Sequence, residues 1–158
     1  MSDTMLFAID PGLQGTGWAK FVGGHLRECG VIELPGFAAE LPWWRRSLLI
    51  VSTYLCHVEG PALHYCEMPE YFGGAINERG WRTGDLQRTV YLVGSFAGAL
   101  GASFTPVRVR DWKGQLPKVV VTRRIRKILG DEICTKLHIE SHAWDAVGLG
   151  LWALGKFQ

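Results

Sequence analysis

Asp10, Glu67, His142 and Asp145 are the side chains whose types and spacing could do chemistry together. Asp10 closes the apolar run Met5-Leu6-Phe7-Ala8-Ile9 and precedes Pro11-Gly12, which cannot continue a strand, so its carboxylate is expected at a strand's end. Glu67 repeats the arrangement, closing Ala62-Leu63-His64-Tyr65-Cys66 ahead of Met68-Pro69. His142 and Asp145 lie three residues apart at the start of the last amphipathic stretch, which puts them on one helical face. Carboxylates gathered from separate elements repel one another unless a cation lies between them, so the reading is a Mg²⁺ or Mn²⁺ site. Taken singly, each residue also fits a plainer role. Asp10 suits an Asp-Pro-Gly turn, Glu67 a loop cap, and the 141–145 segment a helix start that complements the dipole.

The elements that must position these groups alternate along the chain. Residues 5–10, 16–22 and 26–33 read as three consecutive antiparallel strands, with Gly23-Gly24 permitting a tight reversal. Pro42 opens a helical pattern through about residue 57, with Trp44, Leu48, Val51 and Leu55 on one stripe, and a fourth strand follows at 62–67. The loop 68–83 is rich in Gly, aromatics and Arg, and its length suits a segment lying over the site. A helix over 84–100 carries Leu86, Val90, Val93, Ala97 and Leu100 at heptad-like spacing. Its Gly94 and Gly98, with Gly101, would admit another backbone, so it is either central core or a dimer seam. A fifth strand near 103–108 and helices over 119–129 and 142–155 complete the order. This is a mixed α/β sheet of five strands, the first three antiparallel, flanked by helices, in one domain spanning residues 1–158.

Composition narrows the partner. From Arg108 to Lys127 the chain has eight basic residues and one acidic residue, although its formal net charge is +2. Such a local excess suits a polyanion rather than a membrane or a small neutral ligand. Trp112 lies among these charges (Arg110, Lys113, Lys118, Arg123, Arg124), and Trp81 accompanies a second cluster, Arg79, Arg82 and Arg88, so nucleic acid is the favoured partner. Arg123, Arg124, Arg126 and Lys127 are expected to grip backbone phosphate, and some of the seven tryptophans to face a partner. The four cysteines have no C-x-x-C spacing and read as reduced thiols. With no basic region before its first apolar run and no stretch of membrane-spanning length, the chain is expected in the cytoplasm, that of the host where its origin is viral.

Ile9-Asp10-Pro11-Gly12 with Gly15-Thr16-Gly17-Trp18-Ala19, the placement of Glu67, and His142-Ala143-Trp144-Asp145-Ala146 together resemble the RuvC-like Holliday junction resolvases of the RNase H-like superfamily. The resemblance runs over essentially the whole chain, the middle third matching by element order and charge. It implies an RNase H-like fold and a homodimeric crossover junction endodeoxyribonuclease that nicks four-way DNA junctions symmetrically. It further implies two metal ions held by Asp10, Glu67, His142 and Asp145, with Asp10 bridging. The closing motif often has two aspartates where this chain has His142 and Asp145, so Mn²⁺ is expected to serve as well as Mg²⁺ or better. Lys118, with Lys113 as second choice, would stabilise transition-state charge, and Tyr71 or Phe72 would be the aromatic at the crossover. Glu70 and Glu140 are spare carboxylates nearby. Competing readings are an RNase H-type nuclease on RNA–DNA hybrids, an inactive junction-binding protein and, from Asp10-Pro11-Gly12 with Gly15-Thr16-Gly17, a phosphate loop of the actin and sugar-kinase type.

Overall fold

A computed structural model describes residues 4–70, 79–80 and 82–157. Five strands, β1 (Met5–Asp10), β2 (Thr16–Val22), β3 (His25–Ile32), β4 (Ala62–Met68) and β5 (Phe104–Arg108), form one sheet in the order β3-β2-β1-β4-β5. The pairs β1/β2 and β2/β3 are antiparallel, whereas β4 lies parallel to both β1 and β5. Chain direction therefore brings the carboxyl ends of β1, β4 and β5 to one edge. Ile9 pairs with Cys66 and Glu67 with Val107, so Asp10 and Glu67 finish neighbouring strands side by side. That end of a parallel sheet is where ligands bind in open α/β folds.

Two apolar layers flank the sheet. On one face, α1 (Trp43–Leu55) and α2 (Asp85–Leu100) cover Phe7, Ile9, Trp18 and Cys66, burying Ile50, Val51, Tyr54, Leu92, Val93 and Phe96. On the other, α6 (Ser141–Ala153) lies across β1 and β2 over Leu6, Ala8, Ala19 and Phe21. Between β5 and α6 come a single turn α3 (Val109–Trp112), then α4 (Lys118–Leu129) and the short α5 (Asp131–Lys136).

Three details differ from the sequence expectations. The buried stripe of α1 is Ser47, Ile50, Val51 and Tyr54, while Trp44, Leu48 and Leu55 are 41%, 47% and 39% exposed. Apolar residues occur on two sides of this helix, and the sheet selects the side carrying Tyr54, which supplies a polar partner for buried His64. On α2 the core takes Leu92, Val93 and Phe96, leaving Val90 and Tyr91 outside. Helix α6 is not amphipathic: residues 146–151 are buried throughout, because the sheet, α4 and the C-terminal residues enclose it. Among the described residues, no helix is long and apolar enough to cross a membrane.

Candidate active site and nucleic-acid interface

Asp10 ends β1, Glu67 lies one residue before the end of β4, and His142 and Asp145 occupy the first turns of α6. Close packing of α6 on β2 sets their separation. A Cβ on Gly17 would collide with the backbone carbonyl of His142, and one on Gly15 would lie 3.3 Å from the His142 ring. The Gly-Thr-Gly run thus lets the start of α6 descend onto the strand beside Asp10. Thr16, fully buried, ties the loop by donating its hydroxyl to the Gly12 carbonyl at 2.8 Å.

The site is acidic and largely enclosed. Side chains of Asp10, Glu67 and Asp145 are 17%, 15% and 13% exposed, and His142 Nδ1 lies 3.7 Å from Asp10 Oδ2. Lys113 Nζ sits between the other two carboxylates, 3.1 Å from Glu67 Oε2 and 3.2 Å from Asp145 Oδ1. Lys118 Nζ approaches Asp145 Oδ2 at 3.6 Å from the more open side. Trp112 donates its indole N–H to Glu67 Oε2 at 2.9 Å.

Titration behaviour follows from this crowding. Burial, then the Asp10 charge, raises the Glu67 pKa against the opposing pull of Lys113 and the Trp112 hydrogen bond. Burial works against the Lys113 ammonium, but Glu67, Asp145 and Asp10 outweigh it and raise its pKa. The Asp10 carboxylate raises that of His142, partly opposed by burial and by Lys118.

Among the described residues, no group of three His, Cys, Asp or Glu side chains closes to metal-ligating geometry. A side-chain cation instead occupies the gap: the Lys113 ammonium bridges two carboxylates. Three carboxylates and an imidazole against one bridging ammonium make a donor set that suits a hard divalent cation.

A comparison with solved structures finds this arrangement of elements elsewhere. Thermus thermophilus RuvC in complex with a Holliday junction substrate superposes with a TM-score of 0.64 at 20% identity, over 97% of each chain. A second Thermus thermophilus RuvC structure gives 0.60 at 19% identity, covering 97% of this chain and 98% of that one. The fold is that of RuvC. No protein-family model and no curated protein sequence matches the chain.

On this RuvC fold the sequence-selected residues separate into groups. Asp10, Glu67, His142, Asp145, Lys113 and Lys118 converge. Arg79 and Arg82 are exposed ahead of α2, and Arg123 is exposed on α4. Arg110 is paired with Glu70 at 3.2 Å, which accounts for that spare carboxylate. Arg124 lies over the Phe157 ring and Arg126 over Trp144 while bonding Asp131 at 2.8 Å, so these two serve packing as well as charge. Tyr71, Phe72 and Trp81 fall outside the described residues.

Trp112 is a correction. Expected as an aromatic facing nucleic acid among basic residues, it is 5% exposed and packed with Val121, Ile125 and Phe157. Burial follows from geometry: the turn after β5 points the ring inward, and Gly148 on α6 leaves room, since a Cβ there would lie 2.8 Å from the ring. Sequence reasoning missed Arg46 altogether. It lies on α1 yet lines a cavity that reaches His142. The adjacent pair Arg45-Arg46 is the one local signal, and it does not say which member turns toward the site.

Proposed function

We propose that this protein is a metal-dependent, structure-selective DNA endonuclease that resolves four-way junctions by paired symmetric nicks, acting as a homodimer. The observation that carries the reading is the meeting of Asp10, Glu67 and Asp145 with His142 and two lysines at the carboxyl end of β1 and β4. Thermus thermophilus RuvC, which shares this fold, is seen in complex with a Holliday junction substrate, and that supports the choice of DNA.

Asp10, Glu67, Asp145 and His142 would hold divalent ions, Mg²⁺ or Mn²⁺. Such ions, when bound, make the attacking water more acidic and stabilise the departing alkoxide. The chain's own contribution is positional. Trp112 fixes the rotation of the Glu67 carboxylate, and the packing of α6 on Gly17 fixes His142 and Asp145 relative to Asp10. Lys113 and the half-exposed Lys118, both beside the carboxylates, would neutralise charge on the scissile phosphate. Exposed Arg79, Arg82 and Arg123 would contact backbone phosphates, supplying salt-sensitive affinity without sequence information.

A two-fold junction is met most simply by a two-fold protein. The exposed apolar side chains Trp44, Leu48, Val90 and Tyr91 on α1 and α2 support that assembly, as do Gly94 and Gly98, with open space where a Cβ would stand. The test is cleavage of a synthetic four-way junction beside duplex, single strand and RNA–DNA hybrid, with Mg²⁺, Mn²⁺ or chelator. Paired nicks on the junction alone, lost with chelator, are expected. Cutting of the hybrid's RNA strand would move the protein to RNase H-type chemistry, and metal-indifferent binding without cutting would leave a junction-binding protein.

A further inference from the structure

Beside the carboxylates lies a cavity of about 360 Å³, lined by the loop after β1 (including Gln14 and Gly15), Arg46 of α1, Asp85 and Arg88 of α2, and His142. His142 belongs to both places, since it also stands 3.7 Å from Asp10. The cavity therefore opens directly off the proposed scissile position.

Its charges are unevenly matched. Arg88 has a partner, with Nη1 3.5 Å from Asp85 Oδ1, and Asp85 also accepts the Thr83 hydroxyl at 2.6 Å. Arg46 differs: its Nε is buried without a hydrogen-bond partner. A buried guanidinium N–H lacking an acceptor is costly, and a guanidinium is the side chain best shaped to take an oxyanion in two-point contact. A second cavity bordered by Arg46, of about 300 Å³, is otherwise lined by Leu13, Leu34, Pro35, Ala38 and other residues that, Gln14 apart, carry no polar side chain. Arg46 also borders the first cavity, where it and Arg88 give two guanidinium groups against the single carboxylate of Asp85.

We propose that Arg46 and Arg88 form a phosphate subsite that holds the DNA backbone phosphate next to the scissile one in the strand being cut. The subsite rests on the nuclease reading above and adds what aligns the strand. A backbone threading from His142 toward α1 and α2 places successive phosphates first at the carboxylates and then between the two arginines. The glycine-bearing loop 12–15 leaves backbone, not side chain, facing much of that path.

The test is fluorescence anisotropy of a labelled four-way junction in chelator, repeated over a salt series, for the native chain, Arg46→Gln, Arg88→Gln and the double variant. Arg27→Gln, exposed on the far-edge strand β3, is the control. The slope of log affinity against log salt should fall by about 1 for each cavity arginine and about 2 for the double variant. Arg27→Gln should leave it unchanged. Because Arg46→Gln could disturb folding, Arg46→Lys and thermal melts accompany it; the lysine variant, keeping the charge, should restore the slope. Nick mapping in Mg²⁺ should show the double variant cutting at scattered positions where the native chain cuts at one. Native-like slopes and a native cut position in a folded double variant would overturn the subsite while leaving the nuclease reading intact. A native chain that fails to bind DNA would sink both.

Discussion

His64 and Glu67, three residues apart on β4, satisfy their polar groups in opposite ways. His64 is 2% exposed, and its Nδ1 shares a 2.7 Å hydrogen bond with the Tyr54 hydroxyl while its ring stacks on Phe7. Burial lowers its pKa and raises that of Tyr54, so both stay neutral and the pair is complete. Glu67 stands among like charges, held by Lys113 and the Trp112 indole, its pKa raised by burial and by Asp10. One end of the strand is built for stability and the other holds more acid than its protein cations match. That mismatch, rather than burial as such, is what the nuclease reading of Glu67 rests on.

The sharpest way to break the contrast is Asp10→Asn. Cleavage of a junction should fall by at least about 10²-fold to 10³-fold while binding persists. Without added metal, relief of the charge that raises the Glu67 pKa should offset the partner lost by His142 and Lys113, leaving stability near that of the native chain. Gel assays and urea unfolding check the two halves. Trp112→Phe keeps an aromatic ring but removes the N–H from Glu67. Divalent-ion affinity, read by calorimetry, should weaken roughly 10-fold to 100-fold, as for other groups that orient ligands.

The His64 end should respond through stability alone. Tyr54→Phe leaves His64 Nδ1 without its partner and should cost about 1–3 kcal/mol in urea unfolding, with cleavage per folded molecule unchanged. The smallest effect is in pH dependence. His64 has its folded pKa depressed below 6.5, so the unfolded chain takes up a proton first; its stabilisation is present above about 6.5 and lost as pH falls toward the folded value. His142 has its pKa raised, so its contribution is present below 6.5 and lost as pH rises through the folded value. Unfolding curves of His64→Gln and His142→Gln against pH should therefore depart from the native curve in opposite directions.

Much of this is legible in the sequence where signals are local. Strand ends marked by Asp10-Pro11 and Met68-Pro69, and the Gly23-Gly24 reversal, locate β1, β4 and the β2/β3 hairpin within a residue or two of their observed bounds. Helix α4, expected over 119–129, spans Lys118–Leu129. Faces are less legible. Apolar residues on both sides of α1 let the sequence point to the wrong stripe, and the contact of Tyr54 with His64 of β4 fixes the buried one. The position of Trp112 depends on Glu67, 45 residues earlier, and on Gly148, far along the chain on α6, which no spacing rule connects. Helix α5, of six residues, escapes a sequence reading because so few turns carry no readable period.

The most direct test of a cation-completed site is a thermal melt of the native chain and of Asp10→Asn and Glu67→Gln across a Mn²⁺ titration. The native midpoint should climb with ion concentration, by an amount equivalent to about 2.7 kcal/mol at a hundred times the dissociation constant. The two variants should climb far less. A native midpoint indifferent to Mn²⁺, or variants that climb equally, would contradict the assignment of Asp10 and Glu67 as the residues that hold the ion.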